Sequence, residues 1–241
     1  MEIEILENEA ALNERAADII AETLRKKPDA CLVFPVGATP LGLFRVLVQR
    51  VQASEMSFSQ ARLIELDDYY GIALDDPRNL YNWFERELMI PAGIQPAQVT
   101  RFQTDTADPS AEVARMEAVV QAQGIDLAIL GIGMNGHLGF NEPGTAFDAP
   151  THMADLTQES ILSNAGYWGG EDRVPRQAMT LGLGTLMQAE QIVLMVNGQR
   201  KADILSQVMA SDPTPVLPAT VLKNHANARV LSDAAAAPAQ K

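Results

Sequence analysis

Cysteine is nearly absent from this chain. Cys31 is the only one in 241 residues, so no intramolecular disulfide can form, and a reducing, cytoplasmic setting is expected. Histidine is almost as scarce. His137, His152 and His225 stand in unrelated contexts with no cysteine partner, so no metal site is expected. No apolar run approaches the ~20 residues that cross a bilayer. The opening MEIEILENEA lacks the basic-then-apolar pattern of a secretory leader, so no membrane partner is expected. Basic residues are outnumbered, 18 Lys and Arg against 31 Asp and Glu, for a net charge of −13. That balance leaves no basic face for nucleic acid or an anionic surface. It would also repel a small anionic substrate, so a phosphate would have to be held by local donors: backbone amides, helix N-termini and a few placed cations.

What is present is a regular alternation of short apolar runs and amphipathic stretches. Residues 9–27 place Leu12, Ala16, Ile19, Ile20 and Leu24 at helical spacing and stop at Pro28-Asp29. ACLVF (30–34) reads as a buried strand, and a helix follows with Thr39 as N-cap and Pro40 in its first turn. ARLIEL (61–66), QVTRFQT (98–104), IDLAILGIG (125–133), QIVLMV (191–196) and ARVLS (228–232) read as further strands. Helices are expected over 79–88, 110–123 and 199–210. This order predicts an α/β fold with a mostly parallel, doubly wound, Rossmann-like sheet and helices on both faces. With no repeat and no linker, residues 1–241 are expected to form a single domain, fraying over about 234–241.

In such folds the site lies at the C-terminal ends of the strands, and four post-strand segments carry unusual chemistry. In FPVGATPLG (34–42), Val36, Gly37, Ala38 and Thr39 lead into a helix start whose free amides would face an anion. In ELDDYYG (65–71), Asp67 and Asp68 point opposite ways from an extended chain, so one of them faces the cleft as a candidate general base. In LGIGMNGHLGFNEPG (130–144), His137 can take and return a proton near neutrality. Glu142 can fix its tautomer, and Asn135 can orient a group without adding charge. In VNGQRKADIL (196–205), Lys201 stands near a helix start, where a bound anion would offset its unfavourable place in the helix dipole.

VGATPLG, ELDDYYG, GIGMNGHLGFNEPG and VPRQAMTLGLGTLMQAEQIVLMVNGQRKA together resemble the glucosamine-6-phosphate deaminases and the related galactosamine-6-phosphate isomerases. The resemblance spans residues 36–202, with a fainter echo in LPATVLKNH. It implies conversion of an amino-sugar 6-phosphate, gluco or galacto, to a ketose 6-phosphate and ammonia, without metal or organic cofactor. It further implies that Asp67 moves the proton between C2 and C1, and that His137 opens the sugar ring, held by Glu142 and Asn135. Val36, Gly37, Ala38, Thr39 and Lys201 would bind the phosphate. Two departures stand out: Asn135 replaces a frequent aspartate, and the family's phosphate-binding arginine falls near Gly166, with Arg173 and Arg176 the nearest arginines. A 6-phosphogluconolactonase-like hydrolase and a non-catalytic sugar-phosphate sensor are the alternatives. The sequence is compatible with a homo-oligomer.

Overall fold

The computed structural model describes residues 1–37 and 39–238; the expected phosphate-loop residue Ala38 lies outside them. Among the described residues ten strands are formed: β1 (Glu2–Leu6), β2 (Cys31–Phe34), β3 (Arg62–Glu65), β4 (Asp67–Tyr69), β5 (Val99–Thr100), β6 (Leu127–Gly131), β7 (His152–Asp155), β8 (Gln177–Thr180), β9 (Gln191–Val196) and β10 (Ala228–Asp233). Seven make one sheet in the order β1-β10-β9-β6-β2-β3-β5, with every pairing parallel. Such strands are buried on both faces, which is why CLVF, LAIL and QIVLMV are continuous apolar runs rather than alternating ones.

The two faces separate residue by residue. Leu127 and Ile129 of β6 join Leu32, Leu63 and Val193 in a core under α1 (Glu9–Lys26) and α2 (Pro40–Gln52). Phe84 of α3 (Leu80–Phe84), which runs through a wide turn into α4 (Ile90–Ala92), packs there too. Ala128 and Leu130 face the other way, toward α5 (Pro109–Gln123) and the helices after it, as Met116 and Val120 of that helix show. α1 begins where its sequence predicts, with the Asn8 side chain accepting from the Ala11 amide at 3.0 Å. Among the described residues no helix is long and apolar enough to cross a membrane.

Three expectations need correction. Thr39 does not cap α2: its backbone is already helical (φ −62, ψ −47) and its side chain makes no capping bond, because an N-cap needs an extended residue whose side chain can fold back. The strand expected over 98–104 pairs only at Val99 and Thr100. Beyond them the amides of Phe102 and Gln103 donate to the Glu65 and Glu112 carboxyl groups (2.8 Å each), so side chains take the place of a ladder. The fraying expected from residue 234 fails at Ala236, which is fully buried and donates to the Asp233 carboxylate at 2.8 Å; residues 239–241 lie outside the described part.

A second sheet, β4-β8-β7, is antiparallel and was not foreseen. Its strands have three or four residues each, too short to show a period of two. The chain passes from the large sheet to the small one at Leu66, whose carbonyl accepts from the Leu181 amide at 2.9 Å. Against the small sheet packs α6 (Gln158–Trp168), burying Ile161 and Trp168 beside Tyr69 and Phe140. α7 (Leu183–Leu186) and α8 (Ala202–Ala210) complete the layer over Ala128 and Leu130, burying Leu186 and Leu205.

Candidate active site

β2 and β6 are neighbours, yet the chain leaves β2 toward β3 on one side and leaves β6 toward β9 on the other. Loops therefore diverge at this point and open a crevice beyond the strand ends. The crevice has a volume of about 800 Å³. Its wall takes Val36, Gly37 and Thr39 from the end of β2, Asp67 from the joint after β3, Gly133 and His137 from the loop after β6, and Lys201 with Arg200 from the turn after β9. The four segments picked out by their chemistry thus meet in one place. Gly198 anchors the last turn, donating its amide to the Asp233 carboxylate of the adjacent strand at 3.0 Å.

Asp67 and Asp68 separate as the alternation of an extended chain requires. Asp67 lines the cleft, and burial, helped by the charge of Asp68, pushes its carboxyl up to about 8. Asp68 is fully buried and points away. It accepts from the amides of Tyr69 (2.7 Å) and Leu80 (3.1 Å), so it fastens the start of α3. Burial raises Asp68 as well, but these amides oppose the shift. Burial and the charge of Asp68 raise the neighbouring Glu65 carboxyl well above the usual carboxylate range. Asp68→Asn is therefore expected to lower unfolding stability by about 1–3 kcal/mol while activity stays within about tenfold of wild type. Urea melts and initial rates measured together check this, and a rate loss equal to that of Asp67→Asn would overturn the assignment.

His137 is oriented from behind. Its Nδ1 lies 3.3 Å from Glu142 Oε2 and 3.2 Å from Ser160 Oγ. Asn135 donates to Glu142 at 2.7 Å and accepts the His137 amide at 3.2 Å. The Thr157 amide and hydroxyl donate to the same carboxylate at 3.3 and 3.2 Å. Burial disfavours charge on Glu142, but the bonds from His137, Ser160 and Asn135 outweigh it and bring the carboxyl down to about 2. An ionised carboxylate only accepts, which assigns the ring proton to Nδ1 and leaves Nε2 as the free base. Nε2 is the atom nearest the place a side chain would occupy on Gly133.

That closeness explains part of the glycine density. A Cβ on Gly133 would overlap the His137 ring. At Gly139 (φ +59) a Cβ would stand 2.8 Å from Thr180 Oγ1 and 3.1 Å from Asp67 Oδ2. Both the imidazole and the carboxylate need a bare backbone against them. Gly133→Ala is expected to displace the ring and lower kcat about 10–100-fold, since small misplacements of catalytic groups cost that much. A circular dichroism spectrum matching wild type would show that the loss is local.

Lys201 sits in a tight turn just before α8 and donates to the Ile132 carbonyl at 2.7 Å. Its ammonium is partly buried, which lowers its pKa, and the charge of Arg200 acts in the same sense. Sequence reasoning missed Thr157 and Ser160, although the former is the N-cap of α6, its hydroxyl accepting from the Ser160 amide. It also missed Trp83 and Tyr167, stacked at 5.0 Å on the cleft wall. No local signal joins those two, since 84 positions separate them (167 − 83). Arg173 and Arg176 do not reach the cleft: they line a separate hollow with Arg78 and Trp168. Among the described residues no group of three His, Cys, Asp or Glu side chains could hold a metal ion.

A sequence model for glucosamine-6-phosphate isomerases and 6-phosphogluconolactonase matches residues 7–231. A glucosamine-6-phosphate deaminase of Rhodopirellula baltica is 36% identical over 239 residues, covering 98% of this chain and 95% of that one. One from Leuconostoc citreum is 40% identical over 234 residues, 92% of this chain and 93% of that one. The solved structure of a monomeric glucosamine-6-phosphate deaminase superposes with a TM-score of 0.96 at 33% identity, covering 98% of each chain. A 6-phosphogluconolactonase from Trypanosoma brucei shares the fold alone, with a TM-score of 0.75 at 18% identity over 98% of this chain and 97% of that one.

Proposed function

The chain belongs to the family of glucosamine-6-phosphate isomerases and 6-phosphogluconolactonases, and from that membership we propose that it is an amino-sugar-phosphate deaminase. It converts glucosamine-6-phosphate, or its galacto epimer, and water to a ketose 6-phosphate and ammonia. The observation that carries this reading is one cleft whose wall holds both a carboxyl poised near neutral pH and an imidazole with a free Nε2.

The chemistry follows from those groups. His137 Nε2 takes the proton of the anomeric hydroxyl and returns one to the ring oxygen, opening the sugar to its aldehyde form. The sugar's C2 ammonium, entering beside Asp67, brings the positive charge that favours the ionised carboxylate. Asp67 then takes the proton from C2 and delivers it to C1 while one ammonium proton passes to the C1 oxygen, turning the aldose amine through an enolamine into a protonated ketose imine. Water adds at C2, and the C–N bond breaks to release ammonia. Glu142 steadies the imidazolium formed during ring opening, and Asn135 holds Glu142 in place. Val36, Gly37, Thr39 and Lys201 bind the phosphate. We place the enzyme in the cytoplasm, without nucleic-acid or membrane partners, in keeping with a net charge of −13 and a single cysteine.

The test is a coupled assay of ammonia and ketose 6-phosphate with each epimer in turn. Equal release of both products from one epimer supports the deaminase and identifies the epimer. No release from either, with hydrolysis of a 6-phosphogluconolactone, would transfer the protein to the lactonase reading.

A further inference from the structure

The cleft carries few positive charges for the anion it is read to hold. Among its described lining residues the permanent cations are Lys201 and Arg200, against the carboxyl groups of Asp67 and Glu9. A phosphate monoester has its second pKa near ~6 and is close to a dianion at neutral pH. Lys201 alone cannot neutralise it, and one of its three hydrogens is already committed to the Ile132 carbonyl. α6, which lines the cleft through Ser163, Asn164 and Tyr167, contributes only neutral groups. Gly166 on the same helix has no side chain, and open space where one would stand.

Arg200 lies next to Lys201 on the same turn, is exposed, and makes no ion pair with any described carboxylate. Arg15, Arg50, Arg78, Arg86 and Arg115 each hold a carboxylate; Arg200 is one of the arginines left without one, and it stands on the cleft wall. Two adjacent cations facing one cleft repel each other unless an anion comes between them. We infer that Arg200 is the second cation of the phosphate subsite, closing its guanidinium fork on the phosphate oxygens opposite Lys201 when substrate binds. The planar fork suits two phosphate oxygens at once, which an ammonium does not. The inference rests on the deaminase reading only in placing a phosphate at Lys201. It makes Arg200 a specificity residue: it favours a phosphorylated sugar over the free sugar and leaves the proton transfers to Asp67 and His137.

Steady-state kinetics on the active epimer, with calorimetric titration of inorganic phosphate, tests this on wild type, Arg200→Ala, Arg200→Lys and Lys201→Ala. Losing a charge-assisted contact of this kind is expected to raise KM and the phosphate Kd of Arg200→Ala about 10–100-fold. The loss should fall on KM, with kcat lowered less than about threefold, as for binding energy shared by ground and transition states. Arg200→Lys should recover part of the affinity, and thermal unfolding should match wild type because the residue is exposed. If Arg200→Ala changes neither KM nor phosphate Kd while Lys201→Ala weakens both, Arg200 is not a ligand and the phosphate subsite stands. If neither variant changes either quantity, the phosphate placement itself fails. A fall in kcat with unchanged KM would also overturn the inference.

Discussion

Asp67→Asn is expected to lower ammonia release by about 10²–10⁴-fold, the usual worth of a positioned acid–base group. Asparagine keeps the shape of the side chain and its place against Gly139, so the loss would isolate the proton transfer from the packing. The same residue sets the pH dependence. Burial pushes the Asp67 carboxyl up to about 8 in the free enzyme, and only its ionised form is a base. kcat/KM should therefore climb with pH and reach half its limit near that value. At pH 6 only about one hundredth of the free enzyme would be active, by the tenfold-per-unit rule. The ascending limb of kcat should lie at lower pH, because the bound C2 ammonium favours the ionised carboxylate. A profile flat from pH 5 to 9 would remove Asp67 from the role of base.

Stability carries the opposite signature. Between pH ~4, where an unfolded aspartate loses its proton, and about 8, the native state keeps a proton that the unfolded chain has released. Native stability should therefore fall as pH rises through that window. Asp67→Asn should make this slope shallower, leaving the part that the buried Glu65 and Asp68 carboxyls contribute, and be more stable than wild type at alkaline pH, a trade of stability for activity that is common at active sites. Urea midpoints at pH 5 and pH 9 for the two proteins would decide it.

His137→Ala is expected to fall by a similar factor, about 10²–10⁴-fold, for a separate reason. Ring opening needs one group that both accepts and donates a proton, and no other described side chain on the cleft wall is an imidazole. Glu142 cannot substitute, because it does not line the cleft. Ammonia release measured beside Asp67→Asn and the double variant would separate the two steps. Catalytic groups that act on successive steps of one turnover give losses far from additive. A His137→Ala enzyme within threefold of wild type would show that ring opening needs no protein group.

Much of this site is legible in the chain itself because parallel strands advertise themselves. CLVF, LAILG and QIVLMV are buried on both faces, so their apolar runs are unbroken and the residues after them stand at one edge of the sheet. The Asp67-Asp68 pair, His137 and Lys201 are each picked out by that rule, before any partner is known, and the resemblance selects Asp67 of the two. The pairing of His137 with Glu142 is local as well, five residues apart across a turn. Resemblance to a family added the substrate, which no residue pattern supplies.

Other features depended on contacts distant in sequence. The small sheet joins segments about 110 residues apart, Asp67 with Thr180, through strands too short for a pattern. Which aspartate faces the cleft follows from the chain crossing between two sheets at Leu66. Its high pKa is a property of the burial that crossing creates, not of the sequence around it. Thr157 reaches Glu142 and Ser160 reaches His137 only because α6 packs across Tyr69 and Phe140. Arg200 and Arg173 look alike in the sequence, yet one lines the cleft and the other a separate hollow. Local chemistry and burial periodicity are written along the chain. Desolvation, orientation and the choice among like residues arise only when distant segments exclude water together.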